Sequence, residues 1–253
     1  MGKKLNIRLI VSDIEGCITP PNRGIMIPSD LTPIAAYCEA ARKDKKLPPL
    51  VLCTGRQIPY VECVAQLIGA FFPGFPSIVE SGAFLYDVAR NEVFQNPSLT
   101  SDTMIALRQV REEVEQLASR YSAKMEYGKH VCISLNPPPK MTIEQFFEIA
   151  NSELSPWSHI LEITHSMSAV DINPAGIDKA AGIRHLSSYT GISPEEMLGI
   201  GDTRGDLPML KLVGVPVCPS NATNEVHEIA KYIAPYTGSA GVADILQHFT
   251  CWG

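Results

Sequence analysis

Asp13 ends an apolar run, Leu9-Ile10-Val11-Ser12, and is followed by Ile14-Glu15-Gly16. A buried strand that stops at two carboxylates and a glycine puts acidic groups at its carboxyl end, the edge of an open α/β sheet where ligands bind. Asp and Gly are also ordinary turn residues, so the segment alone leaves a plain turn open. Three further groups share the pattern. Thr54-Gly55-Arg56 follows the apolar Leu50-Val51-Leu52-Cys53, Lys179 opens a helical stretch, and Gly201-Asp202-Thr203-Arg204-Gly205-Asp206 follows Met197 to Ile200. In a parallel sheet all these strand ends lie on one edge. Crowded carboxylates resist ionisation unless a cation joins them. Mg²⁺ is the natural one, a hard ion held by few carboxylates with water and phosphate completing its shell. Lysine and hydroxyl groups suit phosphoryl oxygens. An aspartate not consumed by the metal can act as a nucleophile and carry a phosphoryl group.

The elements needed to bring these groups together are legible in the pattern. Leu5–Ser12, Leu50–Cys53 and Ser77–Glu80 read as strands, with helices over Ser29–Asp44, capped by Ser29, and over 59–68. Strands alternating with helices imply a doubly wound parallel sheet. The rhythm then changes. A long helix over Thr100–Tyr121 precedes strands at Lys124–Tyr127 and His130–Leu135, a helix over Thr142–Leu154, and strands at Ile160–Thr164 and Ala169–Ile172. The order α-β-β-α-β-β describes a small α+β unit, an inserted second domain. The α/β rhythm returns with a helix over Asp178–Tyr189, the strand Met197–Ile200, a helical turn from Leu207 and the strand Val215–Cys218. A helix over Asn221–Lys231, the strand Tyr232–Ala234 and a helix from Gly241 close the pattern. The expected organisation is a Rossmann-like core of residues 1–83 and 176–253 with an α+β cap at 84–175.

The 253-residue chain is long enough for this arrangement, and its net charge of -6 argues against a general nucleic-acid partner. No apolar run approaches the roughly 20 residues of a bilayer span, and no signal peptide is expected. Seven cysteines without a C-x-x-C pair give no disulfide framework or zinc site and fit a reducing cytoplasm. Cys17 and Cys53 read as small buried apolar residues.

Taken together, Asp13-x-Glu15-Gly16, Thr54-Gly55-Arg56, Lys179 and Gly201-Asp202-x-x-x-Asp206 resemble the four motifs of the haloacid dehalogenase superfamily, in order and spacing. Glu80-Ser81-Gly82-Ala83 and Ser220-Asn221-Ala222 look like secondary marks of its Cof-type (type IIB) capped phosphatases. The resemblance implies a phosphoric monoester hydrolase. Asp13 would attack phosphorus. Asp13, the Glu15 carbonyl and Asp202 would hold Mg²⁺, with Asp206 supporting the metal shell. Thr54, Gly55, Arg56 and Lys179 would bind the phosphoryl group. Glu15 would serve as general acid and base, and Asn221 would contact the phosphoryl group or orient Lys179. Glu15 stands where most members have Asp, as in enolase-phosphatases; Ser81 and Gly205 each replace an Asn. The implied partner is a small phosphorylated metabolite, a sugar phosphate or short acid such as phosphoglycolate, with no nucleic acid, no membrane and room for a homodimer. A phosphomutase, or a weakly active ligand-binding regulatory protein, is the alternative. Arg56 and Arg204 are open between structural ion pairs and substrate contacts. Arg23 is placed in a flap, and Lys129 and His130 on the cap surface.

Overall fold

The computed structural model describes residues 6–21, 24–166, 169–250 and 252. In the first half of the chain run strand β1 (Leu9–Ser12), helix α1 (Thr32–Lys43), β2 (Leu50–Leu52), α2 (Ile58–Ile68), β3 (Ser77–Val79), β4 (Phe84–Asp87), β5 (Glu92–Gln95) and α3 (Ser101–Tyr121). Then come β6 (Lys124–Met125), β7 (Ile133–Asn136), α4 (Ile143–Glu153), β8 (Leu161–His165), β9 (Val170–Pro174) and α5 (Lys179–Thr190). The chain closes with β10 (Met197–Ile200), α6 (Leu207–Leu210), β11 (Val215–Cys218), α7 (Asn224–Ile229), β12 (Tyr232–Ile233) and α8 (Gly238–Thr250).

The core is a parallel sheet in the order β12-β11-β10-β1-β2, extended to β3 by a parallel bridge between Cys53 and Ile78. Central strand β1 is buried along its whole length, as expected of a strand covered on both faces. Its side chains alternate between two apolar layers. Ile10 packs with Ile34, Tyr37 and Val61 of α1 and α2, whereas Leu9 and Val11 pack with Ile183 and Leu186 of α5. This is the doubly wound architecture the strand–helix alternation implies.

The second sheet, in the order β6-β7-β9-β8, is antiparallel throughout. Ile133, Leu135, Val170 and Ile172 alternate onto one face, in an apolar cluster with Leu107, Val110, Val114 and Phe146 of α3 and α4. Ser134 pairs with Asp171 on the alternate positions, leaving the opposite face polar. Thr100 caps α3, and a capping box between Thr142 and Gln145 opens α4.

The structure departs from the sequence reading in several places. Residues 84–95, assigned to the cap, form the hairpin β4–β5, laid antiparallel on β3. Ser29 caps nothing: it lies inside a short 3₁₀ turn, and α1 starts after Leu31 with proline in its first turn and no side-chain cap. The expected strands around Gly128 shrink to β6 and β7, leaving 126–132 as a loop with contacts of its own. Helix α7 starts at Asn224, because Asn221 is drawn into the site described below. The first expected strand is also shorter than read: β1 begins at Leu9, residues 6–8 precede it outside any strand, and Leu5, like Arg23, lies outside the described residues.

Two small residues fix the height of α5, and with it Lys179. Gly82 has φ +107, and a Cβ there would fall 2.3 Å from the Asp178 carbonyl oxygen and 2.8 Å from the Gly182 nitrogen. Gly82→Ala therefore meets both a disfavoured backbone region and a backbone clash. It should destabilise the fold by ~2 kcal/mol or more in chemical denaturation. A loss below ~0.5 kcal/mol would show that α5 is not seated on this turn.

Candidate active site

Each polar group sits just past a strand that the sheet points at the same edge. Asp13 follows β1, its N–H donating to the Ile200 carbonyl at 2.9 Å. Thr54 follows β2, Glu80 follows β3, and Asp202 follows β10. Lys179 enters at the N-terminus of α5, capped by the Asp178 carboxylate, which accepts from the Ala181 N–H at 2.7 Å. A cation is unfavourable against a helix N-terminus. Here two carboxylates hold it: Lys179 Nζ donates to Asp13 Oδ1 at 2.7 Å and to Asp206 Oδ1 at 2.5 Å.

Asp206 is fully buried and its second oxygen is engaged as well. Oδ2 accepts from the Asp202 N–H and the Thr203 N–H at 3.0 Å each, and from the Thr203 hydroxyl at 3.2 Å. Both oxygens being committed, Asp206 shapes the loop that presents Asp202. Asn221 acts on the same loop from the other side. Its amide nitrogen donates to the Gly16 carbonyl at 2.9 Å and to Asp202 Oδ2 at 3.4 Å, while its oxygen accepts from the Gly238 N–H at 2.7 Å. It does not reach Lys179, contrary to one of the two roles expected of it. Gly16, at φ +83, lets the first loop pass this close: a Cβ would lie 1.9 Å from Asp202 Oδ2.

Three buried carboxylates thus share one ammonium. Burial, and then the charge of Asp206, raise the Asp13 pKa to about 7 despite Lys179. Burial, and then Asp13 and Asp206, raise that of Asp202 to about 8. Burial works against the Lys179 ammonium, but Asp13 and Asp206 outweigh it and raise its pKa well above the usual value. Such a site calls for a further cation. Atoms of Asp13, Asp202 and Cys17 lie within 4.8 Å of one another, an arrangement that could hold a metal ion. The oxygen donors suit a hard divalent ion. Burial first, then Asp202 and Asp13, push the Cys17 thiol well above its ordinary range, so it stays protonated and is no match for such an ion.

Glu15 is held by a different partner. Its carboxylate is gripped by Arg56, with Nε to Oε2 at 2.7 Å and Nη2 to Oε1 at 2.6 Å. Arg56 also lies over the Tyr60 ring and places Nη1 3.7 Å from Glu126 of the second unit. Arg56 is thus in an ion pair, and so is Arg204, with Glu225 at the surface. Thr54 is buried; its hydroxyl accepts from the Arg56 N–H at 3.2 Å, a tight turn over Gly55 and not a helix cap, since α2 begins after Gln57. The Lys129 side chain is largely buried, contrary to its reading as a surface residue: Nζ donates to Ser134 Oγ at 2.6 Å and lies 3.5 Å from Glu126. His130 is exposed, as expected. Glu126, Lys129 and the contacts of Glu80 were not identified as site features. Only Glu80 had a local signal, an acid directly after an apolar strand, like Asp13.

The chain is similar to known proteins along most of its length. Residues 123–246 match a family model described as haloacid dehalogenase-like hydrolase. A phosphoglycolate phosphatase from Methanospirillum hungatei is 33% identical over 96% of this chain and 97% of its own length. One from Methanococcoides burtonii is 25% identical over 96% of each chain. Among solved structures, a Thermoplasma acidophilum protein superposes with a TM-score of 0.73 at 21% identity, covering 97% of this chain and 99% of its own. A haloacid dehalogenase-like hydrolase from Bacteroides thetaiotaomicron gives 0.71 at 18% identity, covering 96% and 99%.

The raised carboxyl groups have a consequence for stability. Asp13 and Asp202 hold their protons more tightly in the folded chain than at the unfolded value of 3.8. They contribute stability that is complete below that value and is lost as the pH rises through about 7 and about 8. In chelator the melting temperature should fall between roughly pH 5 and roughly pH 9, and stabilisation by a divalent cation should grow over the same interval. Asp202→Asn should flatten both trends. A cation effect largest at the acid end would contradict the assignment.

Proposed function

Because this chain belongs to the haloacid dehalogenase-like hydrolases, we propose that it is a Mg²⁺-dependent phosphatase. Its substrate is a small phosphorylated acid, and Asp13 carries the phosphoryl group in transit. The observation behind this reading is the Lys179 ammonium bonded to both Asp13 and Asp206 beside Asp202. An aspartate so held is aimed and stands next to a positive charge that a phosphoryl oxygen can share.

Asp13 attacks phosphorus and the bond to the leaving oxygen breaks. Glu15 donates its proton to that oxygen, then takes one from the water that attacks the phosphorylated Asp13 and frees it. Both Glu15 oxygens are engaged by Arg56, so proton transfer requires this pair to open. The Thr54 hydroxyl, the Gly55 N–H and Lys179 receive the phosphoryl oxygens. Asp13, the Glu15 carbonyl and Asp202 would hold Mg²⁺, which when bound offsets charge on the transferring group. Asp206 and Asn221 keep the Asp202 loop in place. The unit carrying the second sheet works as a cap whose loop 126–132 covers Arg56. The relatives named phosphoglycolate phosphatase support a two-carbon phosphorylated acid as substrate.

Asp13→Asn preserves size and removes the nucleophile. Turnover of phosphoglycolate should fall by more than about tenfold, a barrier increase above ~1.4 kcal/mol, with an unchanged circular-dichroism spectrum. Retained turnover would sink the covalent reading. Exhaustive chelation should stop turnover, Mg²⁺ should restore it, and Ca²⁺, which takes more ligands at longer distances, should restore it poorly. Glu15→Gln should slow phosphoglycolate by roughly 10²–10⁴-fold yet leave a burst with an aryl phosphate, whose leaving group needs no proton. Equal slowing of the first step for both esters would remove Glu15 from proton transfer.

A further inference from the structure

Glu80 opens the segment Glu80-Ser81-Gly82-Ala83, which no step above uses. Its side chain has no exposed surface. The carboxylate is met by backbone. Oε1 accepts from the His130 N–H at 2.8 Å, and Oε2 from the Val131 N–H at 2.8 Å and the Cys132 N–H at 3.2 Å. The His130 ring lies 3.3 Å from Oε1, and the Cys132 thiol donates to the Glu80 carbonyl at 3.2 Å. Successive N–H groups converging on an anion form a cradle of the kind that binds phosphate. Here the anion belongs to the core sheet and the cradle to the cap loop. Burying a carboxylate is costly unless it is hydrogen-bonded, so the loop is held at the height that satisfies it.

The same residue is tied to the phosphoryl-binding turn. The Glu80 N–H donates to the Arg56 carbonyl and the Ser81 N–H to the Thr54 carbonyl, both at 3.0 Å. To accomplish this, Glu80 and Ser81 adopt φ of 46° and 55°, a left-handed conformation disfavoured without glycine. Upstream in the cradle loop, Glu126 reaches Arg56 and Gly128 passes over Gln57. Arg56 is therefore gripped by Glu15 on one side and approached by the cap on the other.

We propose that Glu80 is a positioning residue: its carboxylate fixes the cap loop where Glu126 meets Arg56, and so couples cap closure to the Glu15–Arg56 pair. The kinetic consequence rests on the phosphatase reading; the structural one does not. Glu80→Gln keeps the size but turns an NH₂ group toward the cradle. Amide hydrogen exchange at residues 130–132, outside any strand, should be slow in the wild type. In the variant it should speed up at least about tenfold, with β1 and α5 unchanged. The kcat/KM for phosphoglycolate should fall at least about tenfold, while that for an aryl phosphate, which needs no proton on its leaving group, stays within about threefold. Unchanged exchange overturns the pin. Faster exchange with the ratio of the two esters unaltered overturns the coupling and leaves a mechanical anchor. Should the wild type cleave neither ester, the phosphatase reading fails and exchange alone decides whether Glu80 holds the loop. If Glu80→Gln does not fold, His130→Pro removes one of the three donors from an exposed position and must give the same two results, with exchange read at residues 131 and 132.

Discussion

One ammonium between two buried carboxylates organises this protein. Lys179 bonded to Asp13 and Asp206 is the contact on which the rest of the site is hung. It joins α5 to the ends of β1 and β10, elements 166 and 27 residues apart in sequence along the two bonds. A lysine at a helix N-terminus opposes the helix dipole, and burial opposes its charge. Both penalties are met by the two acids, whose own charges are tolerable only because the lysine is there. Removing one partner would leave an uncompensated buried charge. A third acid, Asp202, stays in excess, and that excess suits the site to a divalent cation.

A second layer of polar contacts holds these groups in place. Asp206 and Asn221 pin the Asp202 loop, Gly16 lets it approach, and Gly82 lets α5 descend onto the turn after β3. The unit carrying the second sheet meets the parallel-sheet unit through two acids, one from each. Glu80, after β3, is held by backbone of the loop 126–132, and Arg56 faces Glu126 of that loop. Loop 126–132 is thus fixed at one end by a buried carboxylate and at the other by a partly exposed ion pair, the weaker of the two attachments.

The positions of Asp13, Thr54, Lys179, Asp202 and Asp206 were legible because parallel strands bring their carboxyl ends to one edge whatever the helices between them do. The core's alternation and the α-β-β-α-β-β order were legible for the same reason, being set by local periodicity. What local pattern could not reveal depends on distant contacts. Lys124–Tyr127 alternates like a strand, yet Glu126 lies by Arg56 and Tyr127 is left 85% exposed. Lys129 looks like a surface cation, yet its side chain is largely buried against Ser134. Asn221 reads as a helix residue, but its amide is worth more to the Gly16 carbonyl than to a first helical turn. The hairpin after β3 was missed because Asn91, at φ 54, makes a turn without a glycine.

The central claim is that Asp13 carries the phosphoryl group. Mixing enzyme, Mg²⁺ and an aryl phosphate, quenching within one turnover and reducing with borohydride converts an aspartyl phosphate to homoserine, which peptide mass spectrometry locates. The account predicts homoserine at position 13, dependent on substrate and enriched in Glu15→Gln, where the second step is slowed. Reduction at another carboxylate, or none in a Glu15→Gln protein that shows a burst, would contradict it.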